Sequence, residues 1–407
     1  MTTSSRPQID FDHHSPEFGT DQAERFAELR GRCPMGFTEE HGGYWVAATF
    51  ELAKRVMGET ENFTVELNED RTEGGKLIPT AQHAPVIVPG ILDGEEHDRL
   101  RNPLRSIFAR KSIEERAGPV AQRVAAELAD ELAGREEVDF ANEFSFRLTV
   151  GTIFEFVGLT EIEDRGKFIL MLEDAFAIDP EAGADRTQLA SSTSSQYEEA
   201  ESRVRDIVRS RSENPTGDLI SLMVAPDTGL SVDDVTALTL SILLGGVRTT
   251  AASLDNIVVH LDQHRDLRER LIENPSEIPD AVYEMVRIYS VTPLVARTAT
   301  RDVEIGDVTV HKGDRIAALI ASANLDEDKF PDASTADPDR RAGLNLAFGI
   351  GMHYCLGIWL AKMELRVAVE TLLTRMPEYT VVADKTERYA KVGVNNGFAQ
   401  LTVRPGG

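Results

Sequence analysis

The spacing of apolar and polar positions divides the chain into a mixed first part, a helical middle and a motif-rich end. Residues 42–63 read as a strand followed by a helix: GGYWVAATF carries a short apolar run, and ELAKRVMGETENF has helical spacing. Residues 64–89 are rich in Gly, Pro and Thr, break both periods and read as a loop. Helical periodicity resumes after Asp93 and predicts helices over 114–133, 144–157, 161–178, 194–211 and 232–260, with Asp218 and Ser231 as N-caps. Further helices are predicted over 280–289 and 358–374. Residues 303–321 alternate as short strands, with turns at Gly306 and Gly313, and the tail over 379–403 again reads as strands. The sum is a mainly α chain with a minor β region, an α+β class. There is no internal repeat, low-complexity tract or linker, so a single domain over 1–407 is expected, with about the first 20 residues as a flexible segment.

Residues 237–261 are apolar over nearly a membrane-spanning length. Arg248 lies near their middle, among Gly245, Gly246, Thr249, Thr250 and Asp255, and that charge would be costly against lipid. A long helix through the centre of a globular protein fits better. Charge then narrows the partners. Lys and Arg number 43 against 69 Asp and Glu, a net charge of −26. A surface this acidic repels phosphate backbones and excludes nucleic acid as an expected partner. The two cysteines, Cys33 and Cys355, are too few for a disulfide scaffold and point to a reducing compartment. The N-terminal run MTTSSR is polar, so no leader or anchor is expected. The expectation is a cytoplasmic monomer without a membrane partner. Cys33, in a Cys-Pro turn, is given no role.

The strongest local signal is the segment Phe348-Gly-Ile-Gly-Met-His-Tyr-Cys-Leu-Gly357, which opens the helix predicted from Ile358. A cysteine binds metal as the thiolate, and a helix N-terminus lowers its pKa through the macrodipole and its unsatisfied N–H groups. Gly349, Gly351 and Gly357 would let the backbone turn tightly and approach a flat ligand. A buried structural cysteine beside a Gly-rich turn is the alternative for such a residue taken alone. The spacing F-G-x-G-x-x-x-C-x-G closely resembles the haem-binding loop of the cytochrome P-450 family, in its soluble bacterial form. The resemblance implies the family fold, with haem b buried between the long central helix and the helix after the cysteine. It also implies Cys355 as the iron ligand, Phe348 packed near the thiolate, and His353 reaching a haem propionate.

Other segments match in order and spacing, from about Gly42 to the C-terminus, with the stretch 168–211 matching in helical character alone. Glu284-Met-Val-Arg287 resembles the family's buried Glu–Arg pair, which braces the fold near the cysteine loop. The family adds a third basic residue, but here Thr335 and Ala336 occupy the usual Arg and Phe positions, leaving Arg340 as the substitute to consider. His97 and Arg101 share a helix face four residues apart, and Arg297 matches a further family position. With His353 these give four candidate propionate contacts.

Leu243-Leu-Gly-Gly-Val-Arg-Thr-Thr-Ala251 lies inside the long predicted helix. Gly245 and Gly246 would each cost it roughly 1 kcal/mol relative to Ala. In the family such small residues open a groove for dioxygen, and Thr249 matches the alcohol that assists oxygen activation. Where the family usually has Asp or Glu, this chain has Arg248, a permanent cation and a poor proton relay. Three readings stay open: Arg248 pairs with an acidic residue, it fixes a polar substrate group, or the protein uses hydrogen peroxide or carries out coupling or decarboxylation.

The implied reaction inserts one atom of O2 into a C–H bond and reduces the other to water. No flavin or iron–sulfur segment is present, so electrons would come from a separate ferredoxin and reductase, with Arg105, Lys362 and Arg366 as a candidate docking patch. Segments 63–88, 168–178, 243–249, 291–295 and 395–398 would face the substrate, and they suit a moderately apolar terpenoid, steroid, fatty acid or aromatic compound. A haem-based sensor is the non-enzyme alternative.

Overall fold

Successive residues of the strand Tyr44–Ala47 enter two different cores, which is why all four are buried. Trp45 and Ala47 pack with Ile316, Ala318, Phe50 and Phe63, while Tyr44 and Val46 pack with Ala296, Ala317, Phe11 and Phe18. The computed structural model describes residues 6–19, 22–80, 87–174, 186–340, 345–390, 393 and 395–406. They fall into two compact units. The first comprises Met1–Gln82, Asp280–Cys355 and Arg388–Gly397, and the second His83–Pro279, Leu356–Glu387 and Phe398–Gly407.

The first unit is built on a five-stranded sheet in the order Met35–Thr38, Tyr44–Ala47, Arg315–Ala318, Val295–Ala299, Phe63–Thr64. Tyr44–Ala47 runs parallel to Arg315–Ala318, and the other pairings are antiparallel. The predicted strand and helix after Gly42 are present as Tyr44–Ala47 and Phe50–Gly58. The turn at Gly306, with φ 58, closes a hairpin of Val303–Ile305 with Val308–Val310. The alternation predicted to 321 stops earlier, because Ile320–Ala323 forms a helical turn with Asn324 N–H on the Ile320 carbonyl. Residues 7–18 fall in the stretch expected to be flexible. Here the Ile9 amide donates to the Phe37 carbonyl, the Phe37 amide to the Pro7 carbonyl, and Phe11 and Phe18 are buried.

The second unit is mainly helical, with a three-stranded sheet of Val138–Asp139, Thr402–Arg404 and Thr380–Val381. Both predicted N-caps are in place. Asp218 accepts from the Ser221 amide, and Ser231 forms a reciprocal capping box with Asp234. The helix predicted over 161–178 runs Arg165–Asp174, and residues 175–178 lie outside the described residues. Helices Gln22–Arg32 and Arg265–Glu273 were not predicted.

The helix expected over 232–260 is in fact two, Val232–Gly246 and Arg248–Gln263, which abut at Val247 with ψ −70. Two adjacent glycines weaken the helix there, and the Thr249 hydroxyl donates to the Gly245 carbonyl at 2.7 Å, supplying that carbonyl with a side-chain partner. By length and composition the run Val232–Gln263 could cross a bilayer, but 61% of its most apolar stretch is buried inside the protein. Its Asp255 is also buried, accepting from the Ser145 hydroxyl at 2.6 Å. Among the described residues this is a core helix pair.

Candidate active site

The cysteine loop is shaped by its own backbone. The Cys355 amide donates to the Phe348 carbonyl at 2.8 Å, and the Tyr354 amide to the Gly351 carbonyl at 3.1 Å. Gly349 and Gly351 have φ of 72 and 68, a region that L side chains avoid, and a Cβ on Gly349 would stand 3.3 Å from the His353 carbonyl. The Phe348 ring lies parallel to Tyr283 at 6.4 Å between centroids. Cys355 is half-buried and neither cysteine forms a disulfide.

Within the same unit, Arg297 is 3% exposed on strand Val295–Ala299. The amide of its neighbour Ala296 donates to the Lys76 carbonyl at 2.8 Å, which brings Lys76 beside it. Burial pushes the Lys76 ammonium down to about 8; Arg297 adds to that shift and Cys355 opposes it. Two cations are therefore held close to one another and within electrostatic reach of the cysteine. Arg315 fixes the segment that carries Lys76, donating to the Gly75 and Leu77 carbonyls and to the Thr80 hydroxyl. Sequence reading missed Lys76. It belongs to no motif, and the loop around it has no periodicity that would place a lone Lys.

The Glu–Arg pair is also in this unit. Arg287 Nε and Nη2 donate to the two carboxylate oxygens of Glu284 at 3.0 and 2.8 Å, with the side chains 0% and 1% exposed. Arg340 completes the set, its Nε 2.8 Å from Glu284 Oε2. Thr335 contributes its backbone carbonyl to Arg287 at 3.3 Å, so the position that lacks the usual Arg still serves the network. The Asn324 and Ala333 carbonyls take Nη1 at 2.7 Å each. Every charge is thus met by an opposite charge or a carbonyl, the condition under which buried ions persist.

The second unit holds the remaining candidates. The two glycines of the helix junction differ. Gly245 is exposed and a Cβ there would meet nothing within 4 Å, whereas at Gly246 it would come within 2.5 Å of Ile153 Cδ1. Gly246 is therefore required for packing, and Gly245 leaves open space beside the helix. Arg248 is half-buried; its Nε donates to Glu173 at 2.8 Å and its guanidinium lies 4.3 Å from the Phe146 ring centroid. His97 is fully buried with Nδ1 3.1 Å from Asp98 Oδ1, one turn before Arg101 on Gly94–Arg101. Gly357 caps the helix Ile358–Arg375.

Asp255, seven residues beyond Arg248, gives this helix a pH dependence. Burial pushes its carboxyl up to about 8, with the Ser145 hydrogen bond opposing, Asp139 adding and Arg248 opposing. Between the ordinary carboxylate range and about 8 the folded chain holds a proton that the unfolded chain has lost, so this group's contribution to stability falls as pH rises through that window. Asp255→Asn should come close to the wild-type unfolding midpoint below the ordinary carboxylate range, near about pH 3, and exceed it by a margin that grows up to about pH 8. A pH-independent difference in thermal scans would refute the assignment.

The family model for cytochrome P450 matches residues 170–377. A mycinamicin IV hydroxylase/epoxidase of Micromonospora griseorubida is 31% identical over 95% of this chain and 96% of its own. A 6-deoxyerythronolide B hydroxylase of Saccharopolyspora erythraea is 28% identical, over 92% of this chain and 93% of its own. Among solved structures, the cytochrome P450 PksS of Bacillus subtilis 168 superposes with a TM-score of 0.85, at 24% identity over 98% of this chain and 100% of that one.

Proposed function

The chain belongs to the cytochrome P450 family, and from that premise we propose that it hydroxylates a moderately apolar small molecule with electrons from a separate ferredoxin and reductase. Enzymes of this family are monooxygenases that use haem b. Two observations fit this chain to that group. Cys355 offers a sulfur on a turn that two positive-φ glycines hold tight, and Arg297 and Lys76 provide clustered cations of the kind that paired carboxylates need. Cys355 would hold the iron, with Phe348 packed beside it. Arg297, His353, His97 and Arg101 are assigned to the propionates, as the motif resemblance implies, and Lys76 joins them. When bound, the haem supplies the oxygen and electron-transfer chemistry.

The chain's own part is positioning and proton handling. Gly245 keeps one side of the helix junction clear of side-chain bulk. Thr249 presents a hydroxyl that is already oriented by its bond to the Gly245 carbonyl, and from there it can hand a proton or hold a water. The observation that carries the reading of Arg248 is its pairing with Glu173, since a guanidinium committed to a carboxylate is neither a proton relay nor a ready anchor for a substrate acid. Ordinary oxygen activation through Thr249 is the better reading, over peroxide use or substrate anchoring. Of the proposed docking patch, Arg366 pairs with Glu114 and Glu370, and the Lys362 ammonium lies 5.4 Å from the Trp359 ring centroid.

Arg248→Gln tests this directly. Breaking a pair whose side chains are 24% and 26% exposed should cost roughly 0.5–1 kcal/mol of stability and leave product formed per NADH within about threefold of wild type. Loss of the substrate-induced spin shift in this variant would move Arg248 into the substrate site, and a rise in peroxide-driven turnover would favour the peroxygenase reading. The substrate screen starts with mycinamicin IV and 6-deoxyerythronolide B, the compounds for which the two relatives are named.

A further inference from the structure

We propose that His13, His14 and His41 form a binding site for a divalent transition-metal cation of the zinc class, separate from the haem. One ring nitrogen from each lies within 4.8 Å of those of the other two. The ring centroids are 4.1 Å apart for His13 and His14, 4.8 Å for His14 and His41, and 5.5 Å for His13 and His41. His13 and His14 are 2% and 8% exposed, and the His41 side chain is 15% exposed, which leaves an entry for a cation at its edge.

The hydrogen bonds assign the nitrogens. His13 Nε2 and His14 Nε2 lie 2.9 and 2.7 Å from the Ile78 carbonyl, which can accept and cannot donate, so both Nε2 atoms carry the proton. His41 Nε2 lies 2.7 Å from Asp12 Oδ1 and donates to that carboxylate in the same way. The lone pair of each ring is therefore on Nδ1, and on His13 it accepts from the Tyr44 hydroxyl at 2.8 Å, a bond that a cation would replace. One imidazole nitrogen tied to a carbonyl or carboxylate and the other carrying a lone pair is how proteins orient histidine ligands and raise their basicity. Zinc–nitrogen bonds of about 2.0–2.1 Å in tetrahedral geometry set the ligand nitrogens about 3.4 Å apart, so the rings, with ligand nitrogens within 4.8 Å of one another, would close in on a bound cation. The fourth position falls to water, and the Tyr44 hydroxyl, 2.8 Å from His13 Nδ1, would give up that bond to the cation.

The backbone is arranged to the same end. Asp12 also accepts from the His14 amide at 2.8 Å, so one carboxylate orders both ends of the cluster. His41 has φ 51 and ψ 34, a left-handed conformation uncommon for a residue with a side chain, and it is followed by Gly42 and Gly43 with φ of 89 and 87. A bound cation would fasten the N-terminal segment, the turn after Thr38 and the Ile78 segment at a single point, the last of these two residues from Lys76.

The test uses the haem-loaded full-length protein, cleared of metal with a chelator and titrated with zinc chloride by calorimetry, with thermal midpoints alongside. One equivalent should bind and raise the midpoint. His41→Asn, which tolerates the same backbone conformation, should weaken binding at least about 100-fold, and Asp12→Asn about 10- to 100-fold. His264→Gln, which disrupts the stacked His260–His264 pair at 3.9 Å, should leave it unchanged. The proposal fails if wild type takes up no stoichiometric zinc, if the Asp12 and His41 variants both bind as wild type does, or if His264→Gln removes the binding. Because calorimetry does not depend on turnover, failure here leaves the monooxygenase reading untouched.

Discussion

Cys355→Ser should abolish monooxygenase turnover and remove the thiolate signature from the spectrum of the reduced, carbon monoxide-bound protein. A hydroxyl does not ionise in the range where a thiol does, so the serine cannot donate as a thiolate does or push electron density toward the iron. The loop itself should survive, because its form comes from the Phe348 carbonyl, the Cys355 amide and two glycines, none of which the substitution touches. Unchanged circular dichroism beside a changed optical spectrum is therefore the expected pair of results. A Cys355→Ser protein that binds haem with an unaltered spectrum would place the ligand elsewhere. Cys33, the one other cysteine, donates to the Met35 carbonyl and is the control position, where substitution should leave the spectrum as it is.

The second large effect is expected at the Glu284–Arg287–Arg340 cluster, and it bears on stability. Glu284→Ala leaves Arg287 buried without its carboxylate, and breaking a buried pair by removing one partner costs about 3–5 kcal/mol. Arg340→Ala should cost less, roughly 1.5–3 kcal/mol, because Arg340 is partly exposed and Glu284 keeps both bonds from Arg287. The ranking matters more than either number. Thermal midpoints should fall furthest for Glu284→Ala, and haem retention should fall with them, since Arg287 ties the helix Ile278–Tyr289 to the Asn324, Ala333 and Thr335 carbonyls ahead of the cysteine loop. Equal midpoints for the two variants would mean that Arg340 is as deeply committed as Glu284, and a wild-type midpoint for Glu284→Ala would remove the cluster as a brace.

The same cluster illustrates how far the motifs carried. Glu284 and Arg287 are three residues apart on one helix, so their meeting is written locally. Arg340 lies 56 residues beyond Glu284, in a segment without regular structure; the family pattern put the third cation at the position of Thr335, so the sequence offered Arg340 only as a substitute to consider. What the network needs is a cation at one place in space, and a chain turning through Pro331 and Asp332 can supply it from five residues further on. Thr335 then contributes a carbonyl, which any residue carries.

Arg248 shows a similar division. Its presence where an acid is usual was plain in the sequence, but three readings stood together because Glu173, 75 residues earlier on another helix, could not be identified as its partner. Sequence also favoured one helix through this region. The hydroxyl of Thr249 and the two glycines make it two, because a side-chain donor competing for a helix carbonyl acts at one point and leaves the apolar period unbroken.

By itself, the sequence determined what is encoded within about ten residues: the cysteine turn and its glycines, the caps at Asp218 and Ser231, the capacity of Tyr44–Ala47 to form a strand, and through the motifs the family. These depend on φ preferences, short hydrogen bonds and periodicity, which operate between near neighbours. Tertiary structure alone decided which charges meet: Arg340 with Glu284, Glu173 with Arg248, Lys76 beside Arg297, and His41 with His13 and His14. Long side chains reach partners from any element that folding brings close, and burial sets how strongly they are held. Neither property leaves a period in the chain.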